Sequence, residues 1–417
     1  MMNTLYIKPS GPLRGSVSIG GSKNAALPIL AATLLCRAPV ILEGLPDIRD
    51  VARALTILSY MGASVTQLDR TVYLIDTHTA VFRPIPDALT SEMRASVYFL
   101  GAALARFGEG RIGRIGGCDF GARPIDQHIK AFLALGAEAG AGEDGAYASA
   151  KALHAADIRF DTVSVGATVN AILAAVSAKG VTRLSVTARE PHVEDLISFL
   201  SCVGADIRRD RTGDIVICGG KPLSGGRFRI ASDMIEAGTY LILGAATGGA
   251  VRVRGIDPAS LRSLTEVLSR MGAEIDVGER EISLFATEAL YSYALTTGPY
   301  PAFPTDLQPQ MGALFSVVRG KSRIRETVWK GRFRYTEELC KMGADITVLE
   351  NIAEIKGGRL HGASVTATDL RGGAALLIGG ACAEGESRIG GAELIMRGYE
   401  DVVEKLTALG ADVVAAD

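Results

Sequence analysis

The sequence predicts an α/β protein built from six copies of one unit, because two signals recur in register along its 417 residues. The first signal is an apolar residue followed by Gly-Ala, which ends a stretch of helical periodicity in each copy. Its glycines are Gly62, Gly136, Gly204, Gly272, Gly343 and Gly410. A glycine just beyond a periodic stretch is the expected left-handed end of a helix. Four copies continue into an acidic residue and then Ile or Val, a pattern typical of a strand.

The second signal is an Ala/Gly/Leu-rich stretch that ends in a turn and leads into a short, basic and β-branched strand. The first copy has Pro39 at this turn, and the other five have Gly110, Gly180, Gly249, Gly320 and Gly385. Each copy therefore has the pattern strand, helix, strand, helix, strand (βαβαβ), which packs helices against sheets. Six copies exceed what a single core usually holds, so we expect two domains of three units each.

Composition favours a cytoplasmic protein and excludes several classes. A formal charge of −2 gives no electrostatic preference for nucleic acid or an anionic membrane. The N-terminus lacks the apolar core of a signal peptide, and the apolar runs are shorter than the roughly 20 residues of a membrane span. Six scattered cysteines without a CxxC pair favour a reducing compartment. We expect neither a metal nor a bound cofactor, since histidine ligand spacing and nucleotide-binding fingerprints are absent from the sequence.

Polar residues gather where the six small-residue helices are expected to begin. In chain order these starts carry Lys23-Asn24, Arg94, Ser164-Val165-Gly166, Asp233 with Glu236, Asp306, and Asp369 with Arg371. A helix N-terminus offers unpaired N–H groups and a partial positive charge. We therefore expect a cleft between the two domains that binds phosphate and carboxylate groups and holds an acid or two as bases. The alternative is that Asp233, Asp306 and Asp369 are ordinary N-caps.

Residues 116–124 contain three glycines and place Cys118 near Arg111, Arg114 and Arg123. A cysteine in a flexible, basic loop can have a lowered pKa and act as an acid or a nucleophile. The alternative is a free surface thiol. Cys202 and Cys340 stand two and three residues before a repeated glycine, and we expect both of them to be core residues.

The chain resembles the enolpyruvyl transferases over essentially its whole length, and among them the family that acts on UDP-N-acetylglucosamine. The related shikimate 3-phosphate family shares the architecture but lacks the cysteine loop. The resemblance is carried by Gly21-Ser22-Lys23-Asn24-Ala25-Ala26, Met93-Arg94-Ala95-Ser96, residues 117–126, Ser164-Val165-Gly166-Ala167-Thr168, Ala188-Arg189-Glu190-Pro191, Pro304-Thr305-Asp306-Leu307-Gln308, Thr368-Asp369-Leu370-Arg371 and Arg397-Gly398-Tyr399-Glu400. It implies an inside-out α/β barrel fold. Residues 21–229 would form one domain with the Cys118 lid loop, and residues 1–20 plus 230–417 would form the other.

The resemblance also implies a reaction. The enolpyruvyl group of phosphoenolpyruvate would pass to the 3-hydroxyl of UDP-N-acetylglucosamine with release of phosphate, the first committed step of peptidoglycan synthesis and the step that fosfomycin blocks. Cys118 would be the general acid and Asp306 the base, with Lys23 and Arg397 also catalytic. The residues that would bind phosphoenolpyruvate are Lys23, Asn24, Arg94, Arg123, Arg332, Arg371 and Arg397. Those that would bind the sugar nucleotide are Asn24, Arg94, Arg123, Pro124, Ile125, Asp126, Gln127, Ser164, Val165, Gly166, Asp306 and Val328. Asp233, Glu236 and Asp369 would support the site. The enzyme would be a monomer or a weak oligomer.

Four departures from the family pattern stand beside the expected site: Thr162, Met234, Lys330-Gly331 and Met396. Three of them remove or invert a charge. In a site built from paired ions, such changes are not conservative. Two alternatives follow from these departures. The chain could be an enolpyruvyl transferase for a different hydroxyl acceptor, or a non-catalytic paralogue with a regulatory role.

Overall fold

The computed structural model describes residues 3–116, 124–286 and 289–416. Cys118 and Arg123 therefore lie outside the described residues. The described chain divides into two compact units, which we call unit A (residues 21–116 and 124–231) and unit B (residues 3–20 and 232–416). The assignment of two domains with a boundary near residue 229 stays a prediction.

Each unit contains three sheets within the described residues, and five of the six sheets have four strands. In those five, one parallel pair of strands adjoins an antiparallel pair. The sheets of unit A are, in strand order, Gly226–Arg229, Val40–Glu43, Val72–Asp76 and Ser64–Asp69; Asp206–Arg209, Ile215–Gly219, Gly180–Ser185 and Asp157–Arg159; and Glu109–Ile112, Gly145–Ser149 and Glu138–Gly142. Those of unit B are Glu274–Val277, Glu281–Phe285, Ala250–Arg254 and Arg14–Ser18; Ala294–Thr296, Lys321–Arg325, Ile352–Lys356 and Asp345–Leu349; and Ser364–Thr366, Ser387–Gly390, Thr4–Lys8 and Asp412–Ala416.

The repeated unit has one more strand than the sequence pattern predicts. In the first five copies, a turn after the strand that follows the Gly-Ala stop leads back into an antiparallel partner, as in Glu274–Val277 and Glu281–Phe285. The order is therefore βαβαββ, although the second copy lacks the first strand in the described residues. The extra strand was missed because turns of two to five residues interrupt the alternation too briefly to separate two strands in the sequence. In the last copy the partner is Thr4–Lys8 from the start of the chain, which pairs with Asp412–Ala416.

One helix in each copy is buried on nearly all of its faces. These six helices are Lys23–Ala32, Tyr98–Phe107 and Val165–Ala175 in unit A, and Met234–Ala246, Gln308–Val317 and Leu370–Cys382 in unit B. Small residues allow the backbones to approach closely. A Cβ atom at Gly101 would lie 2.4 Å from Asn170 Oδ1, and one at Gly312 would lie 2.2 Å from the Tyr335 hydroxyl. The buried helices therefore form the centre of each unit and present no polar face.

The second helix in each copy is amphipathic and ends at the Gly-Ala pair. These helices are Arg49–Tyr60, Asp126–Ala134, Pro191–Cys202, Arg262–Arg270, Tyr335–Lys341 and Val402–Ala408. All six glycines have φ between 88° and 106°. At the last copy the Gly410 N–H donates to the Thr407 carbonyl and the Ala411 N–H to the Leu406 carbonyl, which is the Schellman pattern. The predicted helix ends are confirmed.

The remaining helices are short: Asp87–Thr90 and Ala392–Ile395, with 3₁₀ turns at Thr33–Leu35, Arg94–Val97, Pro258–Leu261 and Thr305–Leu307. Over the described ranges, none of the helices combines the length and apolar character needed to cross a membrane.

The expectation that Cys202 and Cys340 belong to the core is wrong, because both side chains are exposed. Their neighbours Leu200 and Leu339 are buried instead. Successive residues of a helix are separated by about 100° around its axis. Cys202 and Cys340 are therefore rotated away from the buried face of the helix.

Replacing Gly410 by alanine should destabilise the protein by about 1 kcal/mol, because L-residues pay roughly that cost in the left-handed region. Gly410 has φ 93° and no atom within 4 Å of an added Cβ, so backbone strain is the only expected effect. Gly358 is a matched control, since it has the same open surroundings without a left-handed φ. Denaturant unfolding of both alanine variants checks this prediction. Equal stability of the two variants would contradict it.

Candidate active site

Asp306 has the strongest ionic surroundings among the predicted site residues. It lies in the turn Thr305–Leu307, directly before the buried helix Gln308–Val317. Its two carboxylate oxygens accept hydrogen bonds from the guanidinium groups of Arg332, at 2.9 Å, and Arg371, at 3.3 Å. Both arginine side chains are 3% exposed, whereas the aspartate is 29% exposed. Two buried cations thus fix a carboxylate that water or a substrate can reach.

The alternative of ordinary N-caps is confirmed for Asp233 and Asp369. The Asp233 carboxylate accepts from the N–H groups of Ile235 and Glu236, and that of Asp369 accepts from Arg371 and Gly372. A carboxylate already occupies each of these helix N-termini, so neither of them is an open anion site. Asp306 differs, since the N-cap positions beside it are Pro304 and Leu307.

Arg371 is held by a buried network that joins the three central helices of unit B. Its guanidinium lies 5.4 Å from the centre of the Tyr399 ring. The Tyr399 hydroxyl is 2.9 Å from Thr239 Oγ1, and the Gln310 amide donates to both hydroxyls. The arginine therefore has a fixed direction towards Asp306. Arg397 follows the short helix Ala392–Ile395 and is half-buried.

Glu236 supports the start of the helix Met234–Ala246 from within the core of unit B. Its carboxylate accepts from the Lys405 ammonium at 2.5 Å and from the Gly20 N–H at 3.0 Å. Burial raises the pKa of Glu236 to about 7, and the Lys405 charge opposes this rise.

Lys23 and Asn24 are the first two residues of the helix Lys23–Ala32, which is capped by the Ser22 hydroxyl. The Lys23 ammonium lies 2.7 Å from the Asp50 carboxylate, and both side chains are largely buried. Asp50 comes from the adjacent helix Arg49–Tyr60 and was not recognised from the sequence, because its role depends on this tertiary contact. It restrains the ammonium at the helix start.

A second group of predicted residues gathers around His128, which the sequence analysis also missed. The Asn170 amide nitrogen lies 2.8 Å from His128 Nδ1. A Cβ atom at Gly166 would lie 2.9 Å from the same ring. Burial, with the Arg94 guanidinium adding to its effect and Asp126 opposing it, lowers the pKa of His128 to about 3. Arg94, Asp126 and Gly166 therefore surround one neutral imidazole.

A cavity of about 890 Å³ in unit A has predicted nucleotide-binding residues in its wall. Its lining includes Arg94, Pro124, Ile125, Asp126 and Lys130. The volume falls in the range of small-molecule sites. Of the predicted site residues, those brought together here are Arg94 and 124–126.

Three other predicted residues have different surroundings. The Gln127 amide is bonded to Asp126 and Asp161, which leaves it facing protein groups. Ser164 caps the helix Val165–Ala175 through its hydroxyl. The Val328 N–H donates to the Glu326 carboxylate, a residue that the sequence analysis did not single out. Their contacts with a ligand stay predictions.

Comparison with known proteins identifies the family of this chain. The chain matches the family described as EPSP synthase (3-phosphoshikimate 1-carboxyvinyltransferase) over residues 7–406. It is 44% identical to UDP-N-acetylglucosamine 1-carboxyvinyltransferase 3 of Caldanaerobacter subterraneus subsp. tengcongensis over 99% of both chains. It is 42% identical to UDP-N-acetylglucosamine 1-carboxyvinyltransferase 2 of Clostridium acetobutylicum over the same shares. The chain belongs to the enolpyruvyl transferase family.

Solved structures of enolpyruvyl transferases share the fold. The enolpyruvyl transferase NikO from Streptomyces tendae covers 100% of both chains with a TM-score of 0.90 and 27% identity. EPSP synthase from Acinetobacter baumannii also covers 100% of both chains, with a TM-score of 0.77 and 18% identity. The predicted fold class is confirmed.

The buried imidazole of His128 should make stability depend on pH. Its pKa is lowered from 6.5 to about 3 in the folded protein, so only the unfolded chain takes up a proton between these values. This contribution to stability is complete above pH 6.5 and is lost as the pH falls towards 3. His128→Gln should lower the slope of unfolding free energy against pH by up to ~1.4 kcal/mol per unit.

Urea unfolding at a series of pH values between 4 and 6.5 measures this slope for the wild type and the variant. An unchanged slope in the His128 variant would show that this imidazole is protonated in the folded state.

Proposed function

We propose that this protein transfers the enolpyruvyl group of phosphoenolpyruvate to the 3-hydroxyl of UDP-N-acetylglucosamine and releases phosphate. The observation that carries the proposal is the partly exposed Asp306 carboxylate held by two buried arginines. The names of the relatives at 42–44% identity support this acceptor. We further propose that the protein acts in the cytoplasm, at the first committed step of peptidoglycan synthesis, and that it is a target of fosfomycin.

The chemistry requires a base for the sugar hydroxyl and an acid for the methylene carbon. Asp306 takes the proton of the 3-hydroxyl while the oxygen bonds to C2 of phosphoenolpyruvate. Cys118 supplies the proton that C3 gains, which gives a tetrahedral phospho-intermediate. The Cys118 thiolate then takes a proton back from C3 as the bond between C2 and the phosphate oxygen breaks, and Asp306 returns its proton to the departing phosphate, which yields the enolpyruvyl ether and phosphate. Asp306 has the fixed geometry that this role needs.

Fixed cations suit the charges of phosphoenolpyruvate. Lys23, Arg94, Arg123 and Arg397 are proposed to bind its phosphate and carboxylate, with Arg332 and Arg371 completing the set. Cations that are already oriented stabilise developing charge without rearranging during the reaction. Since Arg332 and Arg371 already contact Asp306, their larger effect is on the direction of the base.

The departures from the family pattern leave this core arrangement intact. Lys330 is exposed, and Arg332 pairs with Asp306 despite the adjacent change to Lys330-Gly331. Thr162 is also exposed, while the neighbouring Lys130 ammonium lies 2.6 Å from Asp161. Neither of these two changes removes a contact of the Asp306 carboxylate with Arg332 or Arg371. They bear on which acceptor binds more than on whether a proton can be taken up.

Acceptor-dependent phosphate release from phosphoenolpyruvate is the test. The wild type should release phosphate when UDP-N-acetylglucosamine is added, and Asp306→Asn should lower kcat about 10²- to 10⁴-fold through loss of the base. Cys118→Ala should show a comparable loss. Asp257→Asn is a matched control, because Asp257 caps a short helix in the same unit and asparagine caps equally well.

A wild-type protein that binds phosphoenolpyruvate but releases no phosphate with this acceptor would refute the proposed acceptor. Release with another hydroxyl compound would then identify an enolpyruvyl transferase of different specificity. An Asp306→Asn variant with wild-type kcat would refute the assignment of the base while leaving the overall reaction in place.

A further inference from the structure

Glu326 is a buried carboxylate with an unusual set of partners. It directly follows the strand Lys321–Arg325 and is 2% exposed. One oxygen accepts from the N–H groups of Val328, at 2.7 Å, and Trp329, at 3.1 Å. The other accepts from the Thr305 hydroxyl at 2.9 Å. Within the described chain it forms no ion pair, so hydrogen bonds alone compensate its buried charge.

These donors belong to two segments of the proposed site. Thr305 immediately precedes Asp306 in the turn Thr305–Leu307. Val328 and Trp329 begin the segment that leads to Arg332, the partner of Asp306. One carboxylate therefore joins the turn that carries the proposed base to the segment that carries the arginine orienting that base.

The backbone of Glu326 is fixed as well. Its N–H donates to the Asn351 carbonyl at 2.8 Å, and its carbonyl accepts from the Asn351 side chain at 2.9 Å. Asn351 lies in the hairpin turn between Asp345–Leu349 and Ile352–Lys356. The carboxylate is thus anchored to the sheet, which makes it a rigid reference point for the two segments that it joins.

The other five copies of the repeat show that the fold does not require this residue. The position that directly follows the equivalent strand is a glycine in four of them and a valine in the fifth. These residues are Gly44, Gly113, Val186, Gly255 and Gly391. A glutamate occurs only in the copy that carries Asp306, which argues for a role specific to that copy.

The geometry points to Glu326 as a positioning residue for the transfer reaction. Its side chain keeps Asp306 and the Val328-Trp329 segment at a fixed distance from each other. This inference rests on the proposed function, because its effect on rate is exerted through Asp306. A carboxylate with a donor from each segment restrains their separation, and small displacements of a catalytic group have large effects on rate.

Thr305→Val tests the inference with the smallest change, because it removes one hydroxyl donor and keeps the shape of the side chain. We expect kcat to fall about 10- to 100-fold with little change in either KM, since a displaced base impairs proton transfer more than binding. Thr305→Ser keeps the hydroxyl and should restore most of the rate. The matched control is Thr327→Val, whose hydroxyl donates instead to the Thr297 carbonyl at 2.7 Å.

A wild-type kcat in Thr305→Val would overturn the inference, as would an equal loss in Thr327→Val, which would indicate general loosening of the segment. Hydrogen exchange separates this result from failure of the proposed function, since it needs no acceptor. Glu326→Gln should speed exchange at the amides of Val328 and Trp329, because an amide oxygen accepts more weakly than a carboxylate. Unchanged exchange there would overturn the inference whether or not UDP-N-acetylglucosamine is the acceptor.

Discussion

The absence of a polar face on the buried helices is the constraint on which the rest of the structure depends. Each is packed on all sides through Ala, Gly and Leu, so ionised groups along its length would have no solvent and no partners. Charged side chains are therefore confined to the ends of these helices. Lys23, Arg94, Ser164, Asp233, Asp306 and Asp369 all stand within the first turn or just before it. The packing of the helices therefore determines where a charged site can form, and the individual side chains determine what it binds.

The six ends are not equivalent, and their differences assign their roles. Four of the helices are stabilised by a side-chain oxygen that accepts hydrogen bonds from N–H groups of the first turn. These oxygens belong to Ser22, Ser164, Asp233 and Asp369. Asp306 directs its carboxylate to Arg332 and Arg371 instead. Arg371 is in turn held against Tyr399, whose hydroxyl is bonded to the other central helices. Packing deep in unit B therefore fixes the orientation of the proposed base at its surface.

Features that depend on local backbone conformation could be predicted from the sequence. Features that depend on contacts between distant elements could not. The left-handed glycine at position 410 and its five equivalents follow from backbone sterics, so their positions predicted the helix ends correctly. Asp306 and Asp369 look alike in sequence, since each stands at a helix start. Tertiary contacts distinguish them, since Arg332 and Arg371 approach the Asp306 carboxylate whereas Asp369 caps its own helix. Asp50, His128 and Glu326 were missed for the same reason, because their partners come from other elements.

A crystal structure of the wild-type protein with UDP-N-acetylglucosamine bound would test the central claim most directly. We expect the oxygen of the sugar 3-hydroxyl to lie about 3 Å from an Asp306 carboxylate oxygen, within hydrogen-bond reach for proton transfer. We also expect Arg332 and Arg371 to keep their contacts with that carboxylate. A bound sugar nucleotide whose 3-hydroxyl faces another acid or base, with Asp306 out of reach, would contradict the account.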